Sequence, residues 1–94
     1  MKSANKQIIA VVKGRVQGVG FRYYTQLQAK NLNLTGEVKN LHDGSVQIVA
    51  EGKHNELEQL LEQVRRGPAL ARVDLINVEW LDASNRYSDF SVAF

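Results

Sequence analysis

Apolar residues recur along the chain in two periods, and the switches between them predict the order of elements. Residues 7–13 (QIIAVVK) are a short run rich in Ile and Val, which predicts a buried strand. Gly14 to Gly20 holds three glycines in seven positions and predicts a loop. Over 21–32 (FRYYTQLQAKNL), Phe21, Tyr24, Thr25, Ala29 and Leu32 return at helical spacing on one side, with polar Gln28 among them. Residues 34–41 (LTGEVKNL) predict a second strand and 46–51 (VQIVAE) a third. Between them Asp43-Gly44 is the strongest hairpin signal in the chain. Asn55, with Glu58 three residues on, predicts an N-cap closed by a capping box. Leu57, Leu60, Leu61 and Val64 then form one apolar stripe, Arg65 and Arg66 suit the last helical turn, and Gly67-Pro68 ends the helix. Residues 70–82 (LARVDLINVEWLD) predict a long fourth strand whose inward parity switches near Leu75-Ile76, as at a bulge. Phe90, Val92 and Phe94 alternate as a short terminal strand.

The order β-α-β-β-α-β with one strand added is the split βαβ pattern of ferredoxin-like domains. It predicts one α+β domain over 1–94, a sandwich of an antiparallel sheet with two helices on one face, plus the short C-terminal strand. In that topology strands 1 and 2 run parallel with strand 3 between them, so their carboxyl ends share one edge of the sheet. The loop Gly14–Gly20, the first turn of helix 1 with Arg22, and Asn40 at the end of strand 2 all meet there. Two strand spacings, roughly 9–10 Å, separate strands 1 and 2, a gap that a phosphate and one water fill.

Composition narrows the chemistry. The 94 residues include no cysteine, which removes disulfides, thiolate nucleophiles and Cys-based zinc sites. A net charge of +2 favours a small anion but is too low for a nucleic-acid surface. The polar start Met1-Lys2-Ser3-Ala4-Asn5-Lys6-Gln7 lacks an apolar signal region, and the longest apolar run near it, Ile8 to Val12, is too short to cross a membrane. A cytoplasmic protein without a membrane segment is the expectation.

Glycine lets successive backbone N–H groups turn inward, and the loop Arg15-Val16-Gln17-Gly18-Val19-Gly20 feeds a helix N-terminus. Both favour an anion, and Arg22 adds a fork-shaped cation. The same glycines equally suit a plain strand-to-helix connection. Neither standard phosphate motif is present.

Gly14-Arg15-Val16-Gln17-Gly18-Val19-Gly20-Phe21-Arg22 resembles the signature of acylphosphatases, and a second motif of that family is matched by Gly36-Glu37-Val38-Lys39-Asn40 followed by Asp43-Gly44-Ser45-Val46. Both motifs are correctly ordered and spaced, and the element pattern agrees over the whole length. The resemblance implies hydrolysis of the carboxyl–phosphate bond of an acyl phosphate. It implies that Gln17, Gly18, Val19, Gly20, Phe21 and Arg22 bind the phosphoryl group, with Arg22 as the phosphate-binding arginine and Asn40 as the residue that orients the attacking water. It implies no metal or cofactor, with inorganic phosphate as product and competitive inhibitor; a monomer is the default expectation. Some bacterial relatives carry a disulfide, which this chain cannot form.

Other candidates read as ordinary surface or core. His42 and Asp43 belong to a solvated turn, His54 to the surface, and Ser45 has no base to activate it. Two histidines without a spaced carboxylate set predict no metal site. Arg15 either attracts anions at the loop mouth or simply faces solvent, Lys39 points away from Asn40, and Trp80 is core or partly covered sheet. RNA-recognition domains share the element order but carry stacking aromatics on strands 1 and 3, where this chain has none. No nucleic-acid partner is expected. An anion sensor without turnover is the remaining alternative, and Asn40 at the loop's edge weighs against it.

Overall fold

The computed structural model describes residues 5–94. The elements are β1 (Lys6–Arg15), α1 (Phe21–Asn31), β2 (Thr35–Asn40), β3 (Val46–Gly52), α2 (His54–Arg66), β4 (Arg72–Asp82) and β5 (Phe90–Val92). They form a five-stranded sheet of order β4-β1-β3-β2-β5. β3 pairs antiparallel with both β1 and β2, so β1 and β2 run the same way and end at the same edge.

Side-chain parity sets which face is covered. Ile8, Ala10 and Val12 of β1, Val38 of β2, and Val46, Ile48 and Ala50 of β3 all point to one face, and each is at most 1% exposed. Phe21 and Ala29 of α1 join Leu57, Leu60, Leu61 and Val64 of α2 in the same cluster, so both helices cover that face. Burying a Leu, Ile or Phe side chain contributes about 1.5–3 kcal/mol, so this layer is the main source of the fold's stability.

Three local details depart from the sequence pattern. The capping box at Asn55 does not form. Lys53 is the extended residue before α2, and the helix begins at His54, so Asn55 lies inside the first turn. The His54 ring stacks on Trp80 with 4.7 Å between centroids and 23° between planes, which holds that first residue against β4. The bulge in β4 falls one residue earlier than the parity switch implies. Lys13 pairs with Leu75 and Gly14 with Val73, leaving Asp74 as the extra residue. The terminal strand pairs parallel to β2, Gly36 opposite Phe90, so the sheet is mixed, and the strand stops at Val92.

Because β4 and β5 lie on opposite edges, residues 83–89 must cross the width of the sheet. Four strand spacings are about 19 Å, and eight residue steps reach at most about 26–29 Å, so the crossing has little slack. It is anchored midway by Glu51 of β3. The Glu51 carboxylate, on a residue only 4% exposed, accepts from Ser84 N at 2.8 Å, Ser84 Oγ at 2.6 Å, Asn85 N at 2.9 Å and Gln7 Nε2 at 2.5 Å.

Candidate active site

β1 ends at Arg15, and the chain turns through Val16–Gly20 into α1. Gly18 and Gly20 have φ of 74° and 78°, a left-handed conformation that costs other L-residues about 1–2 kcal/mol. Gly20 is the N-cap of α1. It supplies no side-chain cap, and the first turn contains no acidic residue. Apart from Gly20 O, which accepts from Tyr24 N at 3.0 Å, the opening of the helix is uncommitted. Its free N–H groups and positive dipole end are available to an anion.

Val16, Gly18, Gly20, Phe21, Arg22, Tyr23 and Asn40 line one cavity of about 100 Å³. Of the residues singled out by sequence, Gly18, Gly20, Phe21, Arg22 and Asn40 are thus brought together across a long gap in the chain. Phe21 is 1% exposed and its ring belongs to the core, so its part in the cavity wall is mostly backbone. Gln17 and Val19 do not line the cavity. The Gln17 side chain turns to the β2–β3 hairpin and donates from Nε2 to Leu41 O at 2.8 Å and Ser45 O at 2.9 Å. It ties the loop to the strand end that carries Asn40. Val19 packs partly against the core.

The hairpin that receives Gln17 is itself braced. Asp43 Oδ1 accepts from Ser45 Oγ at 2.5 Å and from Ser45 N at 2.9 Å. The Ser45 hydroxyl first, then its backbone N–H, holds the Asp43 carboxyl below its ordinary value. That pair builds the turn. Ser45, 3% exposed, has no histidine or lysine partner among its hydrogen bonds. Lys39 pairs across to Gln47 on the face opposite Val38, and Arg15 lies outside the cavity, opposite Arg72 on β4. Among the described residues no group of three His, Cys, Asp or Glu side chains is arranged to hold a metal ion.

Arg22 is half-buried and pinned from the C-terminal side. Its Nη1 donates to Ala93 O at 3.2 Å, and its Cζ lies 4.8 Å from the centroid of the Phe94 ring. Ala93 is in turn fixed by its N–H, which donates to Val38 O at 2.8 Å. Among the described residues no carboxylate side chain pairs with Arg22, so the rest of its five-donor fork is open to an anion. Asn40 continues the inward parity of Val38 on β2. Its Oδ1 is buried and has no hydrogen-bond partner, so no protein group fixes which end of the amide turns to the cavity.

Sequence reasoning missed Val16, Tyr23, Ala93 and Phe94. Val16 stands inside the first motif and Tyr23 directly after it, and neither bears a charge at neutral pH that would mark it as an anion contact. For the tail, the alternation Phe90, Val92, Phe94 pointed inward, whereas Phe94 lies beyond the strand and is fully exposed.

The site thus combines a cation, a helix start and an unfixed amide. The acylphosphatase family model matches residues 8–92. An acylphosphatase of Salinibacter ruber is 47% identical over 87 residues, 93% of this chain and 92% of the relative. One from Thermus thermophilus is 49% identical over 74 residues, 79% of this chain and 84% of the relative. The crystal structure of the acylphosphatase from Bacillus subtilis superposes with a TM-score of 0.92 at 40% identity, covering 95% of this chain and 99% of that one. No helix among the described residues is long and apolar enough to cross a membrane. Matched in sequence and in fold over nearly its whole length, the chain belongs to the acylphosphatase family.

Proposed function

We propose that this enzyme hydrolyses acyl phosphates to a carboxylate and inorganic phosphate in the cavity beside α1, with Arg22 and the loop N–H groups holding the phosphoryl oxygens and Asn40 orienting the water. The observation that carries the reading is that Arg22, two loop glycines in left-handed conformation and Asn40 line one cavity. A cavity of about 100 Å³ exceeds several-fold the roughly 10–15 Å³ that one water requires, so it admits a phosphoryl group together with a water.

The substrate is a mixed anhydride. The water oxygen attacks phosphorus, and the bond from phosphorus to the bridging oxygen breaks, its electron pair leaving on the carboxylate. One water hydrogen stays on the new phosphate hydroxyl, and the other passes to a phosphate oxygen or to solvent. A carboxylate is a weak base and departs without a strong acid, so catalysis rests on position and on stabilising the phosphoryl charge. Arg22 supplies a permanent charge with two parallel donors. Asn40 is neutral and can accept from the water without repelling a dianion. Gln17 serves by fixing the loop rather than by touching phosphate through its side chain. The protein acts as a monomer, without metal or cofactor, and phosphate competes with substrate.

The test is turnover of benzoyl phosphate in the presence of EDTA, with inorganic phosphate as inhibitor. Hydrolysis with competitive inhibition supports the reading. Binding of phosphate without turnover would favour an anion sensor.

A further inference from the structure

We infer that the rim of this cavity selects aromatic and other apolar acyl groups over small polar or doubly charged ones, with Phe94 and Tyr23 as the selecting residues. The inference rests on the acyl-phosphate reading and concerns the part of the substrate outside the phosphoryl group.

The cavity at the helix start, about 100 Å³, is the place assigned to the phosphoryl group and the attacking water. The acyl group extends from it across the rim, and what it meets there decides which acyl group is favoured.

Two exposed aromatic side chains lie near the cavity, Tyr23 in its wall and Phe94 against Arg22, and neither is buried in the fold. Tyr23 lines the cavity and is 77% exposed; its neighbour Tyr24 is instead fixed inward, its hydroxyl donating to Gln63 O at 2.8 Å. Phe94 is 102% exposed, yet its ring lies 4.8 Å from the Arg22 guanidinium carbon, so it stands beside the group that grips phosphate. Its position is held by the backbone, through Ala93 N to Val38 O and Ala93 O from Arg22 Nη1, and not by burial of the ring. Leu27, one helical turn beyond Tyr23 on the same side of α1, is 58% exposed and extends the apolar surface away from the cavity. An exposed ring face at the phosphate-gripping guanidinium, with a second exposed aromatic in the cavity wall, offers surface on which an aryl acyl group can stack.

Charge points the same way. Arg22 is the one charged residue among those lining the cavity, and it is engaged with the phosphoryl group. The cavity wall itself offers no second cation for an acyl group bearing a second phosphate, and a carbamoyl group leaves the exposed rings uncovered.

The experiment compares kcat/KM for benzoyl phosphate with that for acetyl phosphate in the wild type, Phe94→Ala, Phe94→Leu and Tyr23→Ala. An aromatic contact of ordinary strength predicts that Phe94→Ala lowers the benzoyl-to-acetyl ratio by about three- to tenfold. Phe94→Leu should retain part of the preference, and Tyr23→Ala should lower the ratio in the same direction. If Phe94 served only to orient Arg22, both substrates would fall together and phosphate would inhibit more weakly, leaving the ratio unmoved; that result overturns the inference. Wild-type enzyme that turns over neither substrate removes the acyl-phosphate reading and this inference with it. Good turnover of both, with a ratio insensitive to all three substitutions, removes the inference alone.

Discussion

Replacing Glu51 by glutamine should cost the protein more than any other isosteric change on the sheet. The carboxylate receives four donors, three on Oε2 (Ser84 N, Ser84 Oγ, Gln7 Nε2) and one on Oε1 (Asn85 N). A hydroxyl can rotate and a side-chain amide can turn over, but a backbone N–H cannot change sign. Whichever end of the Gln amide carries NH₂, it meets the N–H of Ser84 or of Asn85, and one backbone donor loses its acceptor. A buried donor left unpaired costs about 1–3 kcal/mol, and the remaining bonds lose their charge assistance, so the total is about 2–3 kcal/mol. For a protein of this size that lowers Tm by about 10–20 °C. The pH dependence adds a second signature. Burial pushes the Glu51 carboxyl up, but the bonds from Ser84 Oγ, Ser84 N, Asn85 N and Gln7 outweigh it, and the group sits below its ordinary value of 4.5. A carboxyl lowered on folding contributes stability above its unfolded pKa and loses it as pH falls through the folded value. Thermal melts followed by far-UV circular dichroism should therefore show a full wild-type advantage at neutral pH that shrinks below about pH 4.5. Equal melting temperatures at neutral pH, or a gap that acid leaves unchanged, would refute the clamp.

Further consequences concern the cavity. Gln17→Ala removes the two bonds to Leu41 O and Ser45 O, both of which keep a backbone donor (Gly44 N and Leu41 N), so stability should fall by only about 1–2 kcal/mol in urea melts while phosphate inhibition weakens as the loop loosens. Gly20→Ala meets no atom within 4 Å of the added Cβ, so its penalty is backbone strain at φ 78°, about 1–2 kcal/mol, with raised KM where the helix start re-orients; an unchanged KM would remove Gly20 from the binding wall. Asn40→Asp sets a carboxylate beside the phosphoryl dianion, and the phosphate inhibition constant at neutral pH should rise at least about tenfold.

Much of this architecture was legible in the chain because local and long-range signals agree. The stripe Leu57, Leu60, Leu61, Val64 and the even positions of β1 and β3 assign the covered face, and Asp43-Gly44 sets the hairpin. The meeting of Arg22 and Asn40 followed from strand order alone, since parallel β1 and β2 must end at one edge. What escaped depends on tertiary contacts. Asn55 has the residues of a capping box, but stacking of His54 on Trp80 accompanies a helix start two residues ahead of the one that box requires. Gln17 sits in a phosphate-loop motif, yet hairpin carbonyls far along the chain claim its amide. Phe94 keeps strand alternation, but pairing with β2 stops at Val92, and a residue past the last pair no longer obeys parity. Glu51 alternates like any solvent-facing strand residue; only the crossing of residues 83–89 makes it a buried acceptor.

The most direct trial of the account is steady-state hydrolysis of benzoyl phosphate by Asn40→Ala, with the phosphate inhibition constant measured on the same sample. Loss of a group that positions the water should lower kcat by about 10²-fold or more while phosphate binds within about twofold of wild type, because Arg22 and the loop remain. A variant that turns over at near the wild-type rate would show that the amide in this cavity does not direct the attack.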